Sequence, residues 1–262
     1  MLIDKNMLKI SIVTPSFNSA KFIEDCIQSV LNQNYPNFEN IIIDGGSTDG
    51  TIEILKKYPH LKWISEPDEG QSDALNKGFK LATGEWILWL NSDDRLCAKA
   101  IDTFLEYISK YNGIDLFYGH VKFINEKNGL IKNVFNIPYS YHLTTLRLYI
   151  PPSTGTLFRA SILKSYHLDI EYHYIMDVVW FLRYGNKVHT KLINAFLSEF
   201  RVSGDNKTYS QIISNQVTNR HQIERKNSKI FYPQYAINNK SNLYNLLRYL
   251  AKIEYYLKKV II

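Results

Sequence analysis

Two apolar runs in the first hundred residues end abruptly in acid, and no other feature constrains the fold of this chain as much. Asn40-Ile-Ile-Ile-Asp44 opens into Gly-Gly-Ser-Thr-Asp49-Gly50-Thr51, and Trp86-Ile-Leu-Trp-Leu90 opens into Asn91-Ser-Asp93-Asp94. Short uninterrupted apolar runs bounded by turn residues read as strands buried on both faces. In open α/β sheets, ligands gather outside the carboxyl ends of the strands, so two acidic strand ends point to one shared site. Lys9-Ile-Ser-Ile-Val-Thr14 follows the same plan, opening into Pro15-Ser-Phe17-Asn18 and then a helix.

The pattern predicts strands at 9–14, 38–44, 61–66 and 86–91, alternating with helices at 20–33, 50–58, 71–82 and 97–111. Such alternation implies a mainly parallel sheet flanked by helices, an α/β fold. Beyond it, 121–124 and 131–135 flank Asn128-Gly129 as a hairpin. Helices are expected near 141–149 and 174–185, and a late strand at 195–202. The composition shifts near Gly204-Asp-Asn-Lys207, which divides a domain over 1–207 from a basic helical extension over 208–262.

Charge sharpens that division. The chain carries a formal +6, yet nine Lys or Arg against two Glu from Arg220 onward give +7 and leave −1 for the rest. A main domain so balanced offers no nucleic-acid-binding surface. In the tail, Leu243, Leu246, Leu247, Leu250, Ile253, Leu257, Val260 and Ile261 share one helical stripe, with Arg248, Lys252 and Lys259 opposite. That stripe suits an anionic inner-membrane surface, and equally suits packing on the domain or on a second subunit. No apolar run is long enough to span a bilayer, so a cytoplasmic protein is expected, peripheral on the membrane if the tail binds there. Cys26 and Cys97 stand too far apart in sequence for a metal or redox pair, and Cys26 falls on the apolar face of the first helix.

The chemistry begins by exclusion. The chain has no Gly-x-Gly-x-x-Gly after its first strand and no Walker loop. Asp44 to Gly50 lacks the oxygen spacing and closing Glu of a calcium loop. Asp49 is expected to cap the next helix and Asp44 to be functional. Asn91-Ser92-Asp93-Asp94 presents hard oxygen donors suited to Mg²⁺ or Mn²⁺ shared with phosphate oxygens, although one acid there would also serve as a helix cap. Asp177, in the first turn of a helix, could simply complement the helix dipole.

Taken in order, the chain resembles glycosyltransferase family 2, whose nucleotide-sugar-binding fold is called GT-A. The resemblance is carried by Ser11-Ile-Val-Thr-Pro15-Ser-Phe17-Asn18, the Asp44 to Thr51 run, Glu66-Pro-Asp-Glu-Gly-Gln-Ser-Asp73-Ala-Leu-Asn76-Lys-Gly78, Asn91-Ser-Asp93-Asp94, Pro152-Ser-Thr154, Met176-Asp177 and Phe200-Arg201-Val. It implies inverting transfer of a sugar from a nucleoside diphosphate sugar, a UDP-sugar foremost, to a hydroxyl of a glycan or lipid-linked acceptor. Pro15, Phe17 and Asn18 would line the nucleotide site, and Asp44 would hydrogen-bond the base. Asp73 and Asn76 would face the same cleft, with Ser92 beside Asp93. Asp93 and Asp94 would hold Mn²⁺ or Mg²⁺, and Asp177 would be the catalytic base. Asn91 stands where many relatives have an Asp, and Ser203 where many have a His. His173 and His189 are given no role. The competing readings are a nucleotide-sugar pyrophosphorylase, disfavoured by the missing Gly-rich phosphate loop, and a non-catalytic nucleotide-sugar-binding module.

Overall fold

In the computed structural model, which describes residues 8–146, 148–204, 249, 250, 253 and 255–257, four parallel strands form the first half of one sheet. They are β1 (Ile10–Ser16), β2 (Phe38–Asp44), β3 (Leu61–Ser65) and β4 (Trp86–Trp89), in the spatial order β3-β2-β1-β4. The register sets Ser16 beside Asp44, so the polar ends of β1 and β2 meet. The second half is mixed. β8 (Thr156–Arg159) lies antiparallel to β4 and leads on to β6 (Leu116–Ile124), β9 (Thr190–Arg201) and the two-residue β5 (Arg95–Leu96). β7 (Leu130–Val134) closes the expected hairpin with β6, and Asn128 takes the left-handed conformation in its turn at φ 64.

Helices cover both faces. Residues alternate along a strand, so Ile10 and Ile12 of β1 pack with Cys26 and Val30 of α1 (Ile23–Leu31) and Phe104 of α4 (Ala100–Lys110). Val13 faces the other way, toward Leu75 and Phe79 of α3 (Gln71–Leu81) and Trp180 of α7 (Met176–Tyr184). Each such large apolar side chain contributes roughly 1.5–3 kcal/mol on burial. At Gly78, α3 lies so close to the sheet that a Cβ would stand 2.4 Å from Cγ1 of Val13. The remaining helices are short: α2 (Thr51–Leu55), α5 (Tyr141–Thr145) and α6 (Ala160–Ser165).

Most expected elements are present with trimmed ends. The late strand begins at Thr190, several residues before the expected start, because parallel pairing with β6 extends it. β5, β8 and α6 had no periodic signal: they are too short for one. Asp49 does tie the start of α2, accepting from the Thr51 N–H at 3.1 Å, and also from the Ala20 N–H at 2.9 Å.

The domain boundary at 207 lies outside the described residues. So do Leu243, Leu246, Leu247, Val260 and Ile261 of the tail stripe. The described residues of that stripe, Leu250, Ile253 and Leu257, are exposed. The tail touches the body through Tyr255, which packs near Tyr149. No helix among the described residues is long and apolar enough to cross a membrane.

Candidate active site

A cleft of about 640 Å³ opens at the carboxyl ends of β1 and β4, where the strand pattern placed it. Pro15, Phe17 and Asn18 form one side, and Asn91, Ser92 and Asp93 another. Phe17 is 63% exposed, a flat ring turned to solvent at the lip. Asn18, in a left-handed conformation at φ 48, joins the two loops: its Oδ1 accepts from the Thr48 N–H and its own N–H donates to Ser47 Oγ. The hydroxyls of Ser19 and Ser92 meet at 2.8 Å and join the β1 and β4 ends.

The four-residue turn after β4 separates two adjacent acids. Asp93 lies on the cleft wall, whereas Asp94 is fully buried. One oxygen of Asp94 accepts from the Arg201 N–H at 2.9 Å and the other from the Asn91 amide at 3.1 Å. Burial, and then the neighbouring Asp93 charge, push its carboxyl well above the usual range. Asp94 is therefore a strut, and its expected place among the metal ligands does not fit this geometry. The side chain of Asn91 is also committed, with Oδ1 accepting from Gln71 Nε2 and Trp89 Nε1. An Asp at 91 could not donate to Asp94, which gives a physical reason for the amide there.

Three more expected contacts turn away from the cleft. Asp44 is fully buried, and its oxygens accept from Ser16, Ser47, Ser65 and the Gly46 N–H, so it shapes the β2 loop and presents no free edge to a base. Asn76 exchanges two hydrogen bonds with the Leu168 backbone, at 2.8 and 3.0 Å, clasping α3 to the loop after α6. Asp73 ion-pairs with Lys77 one turn along α3 and accepts from the Glu69 N–H. One helical turn does relate Asp73 and Asn76, but both point into protein contacts.

Asp177 begins α7 half-buried, its Oδ1 accepting from the Val178 N–H at 2.8 Å. Burial pushes its carboxyl up, while hydrogen bonds from Val178 and the Ser153 hydroxyl draw it back. It is not among the cleft-lining residues, whereas His173, four residues earlier in the loop before α7, is. The loop before α7 is docked on α3 by Ser72, whose hydroxyl donates to the Tyr172 carbonyl. His173, the Asp68 to Gln71 loop, Phe200 and Ser203 are cleft residues that sequence reasoning left without a role. The 68–71 loop and Phe200 lie inside the family-like motifs and Ser203 directly follows one, whereas His173 lies in none.

The family model for glycosyl transferase family 2 matches residues 11–169. The chain belongs to that family. An uncharacterized glycosyltransferase of Rickettsia conorii is 31% identical over 216 residues, covering 78% of this chain and 34% of that one. Staphylococcus aureus TarS 1–349 in complex with UDP superposes with a TM-score of 0.64 at 19% identity, covering 92% of this chain and 86% of that one. The mannosyltransferase PcManGT of Pyrobaculum calidifontis, in complex with GDP-Man and Mn²⁺, gives 0.59 at 16%, covering 83% and 64%. These likenesses establish the GT-A architecture. The chain spans about a third of the length of the curated relatives it matches first.

Among the described residues no group of three or more His, Cys, Asp or Glu gathers as a closed metal cage. The donor set instead fits a cation held by one carboxylate, Asp93, and completed by diphosphate oxygens, the usual arrangement for Mg²⁺ and its relatives.

Proposed function

We propose that this family 2 glycosyltransferase moves a sugar from a nucleoside diphosphate sugar, a UDP-sugar foremost, to an acceptor hydroxyl with inversion at the anomeric carbon. The observation that carries this reading is the pairing, in one cleft at the strand ends, of the exposed Phe17 ring with the Asp93 carboxylate. The ring and Pro15 offer a flat apolar wall for a nucleobase, and Asp93 lies where a diphosphate would need its charge met. A bound Mn²⁺ or Mg²⁺ would supply the positive charge that stabilises the departing diphosphate. Asp93 orients that end of the donor, with Ser92 beside it. Asp177 takes the proton of the attacking hydroxyl, and its raised carboxyl makes it a better proton acceptor than an ordinary aspartate.

The acceptor we propose is a glycan or a lipid-linked saccharide met at an anionic, cytoplasm-facing membrane. The exposed Leu250, Ile253 and Leu257 in a basic tail support that placement. A panel of nucleotide sugars with Mn²⁺, followed by release of the nucleoside diphosphate and the anomeric configuration of the product, tests the reaction. No turnover of any donor sinks the transferase reading, and a product retaining the donor's configuration sinks the inversion.

A further inference from the structure

Arg201, at the end of β9, has a side chain that is 0% exposed. A fully buried guanidinium is costly unless its donors are met, and here they are met by groups from separate parts of the fold. Nε donates to the Asp93 carbonyl at 2.8 Å. One terminal nitrogen donates to the carbonyls of Asn125 and Glu126 and to Asn128 Oδ1, the last at 2.7 Å. The other pairs with Asp25 of α1 at 3.0 Å, and the group lies over the Phe22 ring. Its backbone N–H donates to Asp94, which also accepts from the Asn91 amide. Arg201 thus grips both peptide neighbours in the acidic turn and anchors them to the β6–β7 hairpin and to α1.

We infer that Arg201 is a positioning residue for the cation-binding carboxylate: by fixing the Asp93 carbonyl and the Asp94 strut, it aims the Asp93 side chain into the cleft. The inference rests on the donor-site reading above. The carboxylates at 93 and 94 repel one another, and an unanchored turn would relax by swinging Asp93 away. The guanidinium engages the Asp93 carbonyl, and Asp93 lies on the cleft wall. Lysine keeps the charge but lacks the planar fork, so it cannot hold the turn, the hairpin and α1 together.

The test compares wild type, Arg201→Lys and Asn128→Gly by calorimetric titration with UDP and with GDP, each with and without Mn²⁺, alongside thermal unfolding. Asn128→Gly keeps the left-handed turn and removes one acceptor of the guanidinium. Groups that orient a metal ligand are typically worth 10- to 100-fold in affinity, so Arg201→Lys should weaken Mn²⁺-supported nucleotide binding by about tenfold or more. Binding without the cation should stay within about twofold, and Asn128→Gly should show a smaller loss in the same direction. A folded Arg201→Lys protein with unchanged Mn²⁺-supported affinity overturns the inference, as does an equal loss with and without the cation, which is what a merely structural role predicts. If Arg201→Lys does not fold, Asn128→Gly decides by the same two criteria. Wild-type protein that binds neither nucleotide with Mn²⁺ overturns the donor-site reading itself, a result distinct from a wild type that binds and a variant that binds equally well.

Discussion

The imidazole of His173 occupies the space that a side chain at position 70 would need: a Cβ on Gly70 would stand 2.8 Å from both Cε1 and Nδ1 of the ring. Gly70 also has φ +107, a conformation that side-chain-bearing residues rarely adopt. The absent side chain therefore lets the loop before α7 close on the start of α3, and both contribute to the cleft wall.

Gly70→Ala should lose roughly 1–3 kcal/mol from backbone strain and the clash with His173. Adding His173→Ala should recover the clash portion only. Urea unfolding of the two single variants, the double variant and the parent measures the coupling. Strictly additive losses would mean the ring does not press on Gly70 in solution.

Asp93→Ala should abolish Mn²⁺-dependent nucleotide binding and sugar transfer while leaving the melting temperature close to that of the parent. The acid lies on the cleft wall, so its removal opens no buried space. Calorimetry with and without Mn²⁺ checks this, and retained cation-dependent affinity would move the metal site elsewhere.

Asp177→Asn should cut transfer by about 10² to 10⁴-fold with little change in donor affinity, the usual contribution of a general base. Because burial raises the Asp177 carboxyl, the base is lost as pH falls through a value above the ordinary 3.8, and the acid limb of the kcat/KM profile should sit correspondingly high. The stability sign is the opposite of a salt bridge's. A raised carboxyl favours the fold below its unfolded pKa, and that contribution is lost as pH rises through the folded one, so the Asn variant should be at least as stable as the parent at neutral pH. A variant transferring at nearly the parent rate would leave Asp177 a helix-dipole partner.

Glu39 lies at the opposite end of the sheet from the cleft. Burial alone would raise its carboxyl, but hydrogen bonds from Lys62, Ser11 and Thr83 outweigh this and hold it well below the usual range. A depressed carboxyl contributes stability above its unfolded pKa, about 4.5, and loses it as pH falls toward the folded value. Glu39→Gln should destabilise by ~2 kcal/mol at neutral pH, the scale of hydrogen bonds to a charged group. The gap from the parent should close on acidification below about pH 4. A gap independent of pH would make the loss one of packing.

Truncation after Ser241 should remove binding to acidic liposomes, and binding by the intact chain should weaken with salt. Co-sedimentation indifferent to the truncation would dismiss the tail as the membrane contact and leave its apolar stripe to the domain or a second subunit.

The sequence alone determined the parallel strands β1 to β4, their helices and the location of the cleft. Each of these rests on a local signal, an apolar run or a helical period ending in polar residues. It also singled out Phe17 and Asp93, because a strand end in this fold class has one direction to face. Local signals could not distinguish acids that look alike along the chain. Asp93 and Asp94 are adjacent, yet one reaches the cleft and the other is buried, because Arg201, 107 residues beyond Asp94, brings its N–H to the second. Asp44 and Asn76 turned inward for the same reason, toward Ser65 and Leu168, partners on other elements. His173 entered the cleft because Ser72 and Gly70 received its loop. Which carboxylate meets the ligand depends on which long-range donors satisfy the others, since a buried carboxylate must find partners wherever the fold supplies them. Tertiary packing alone made that choice.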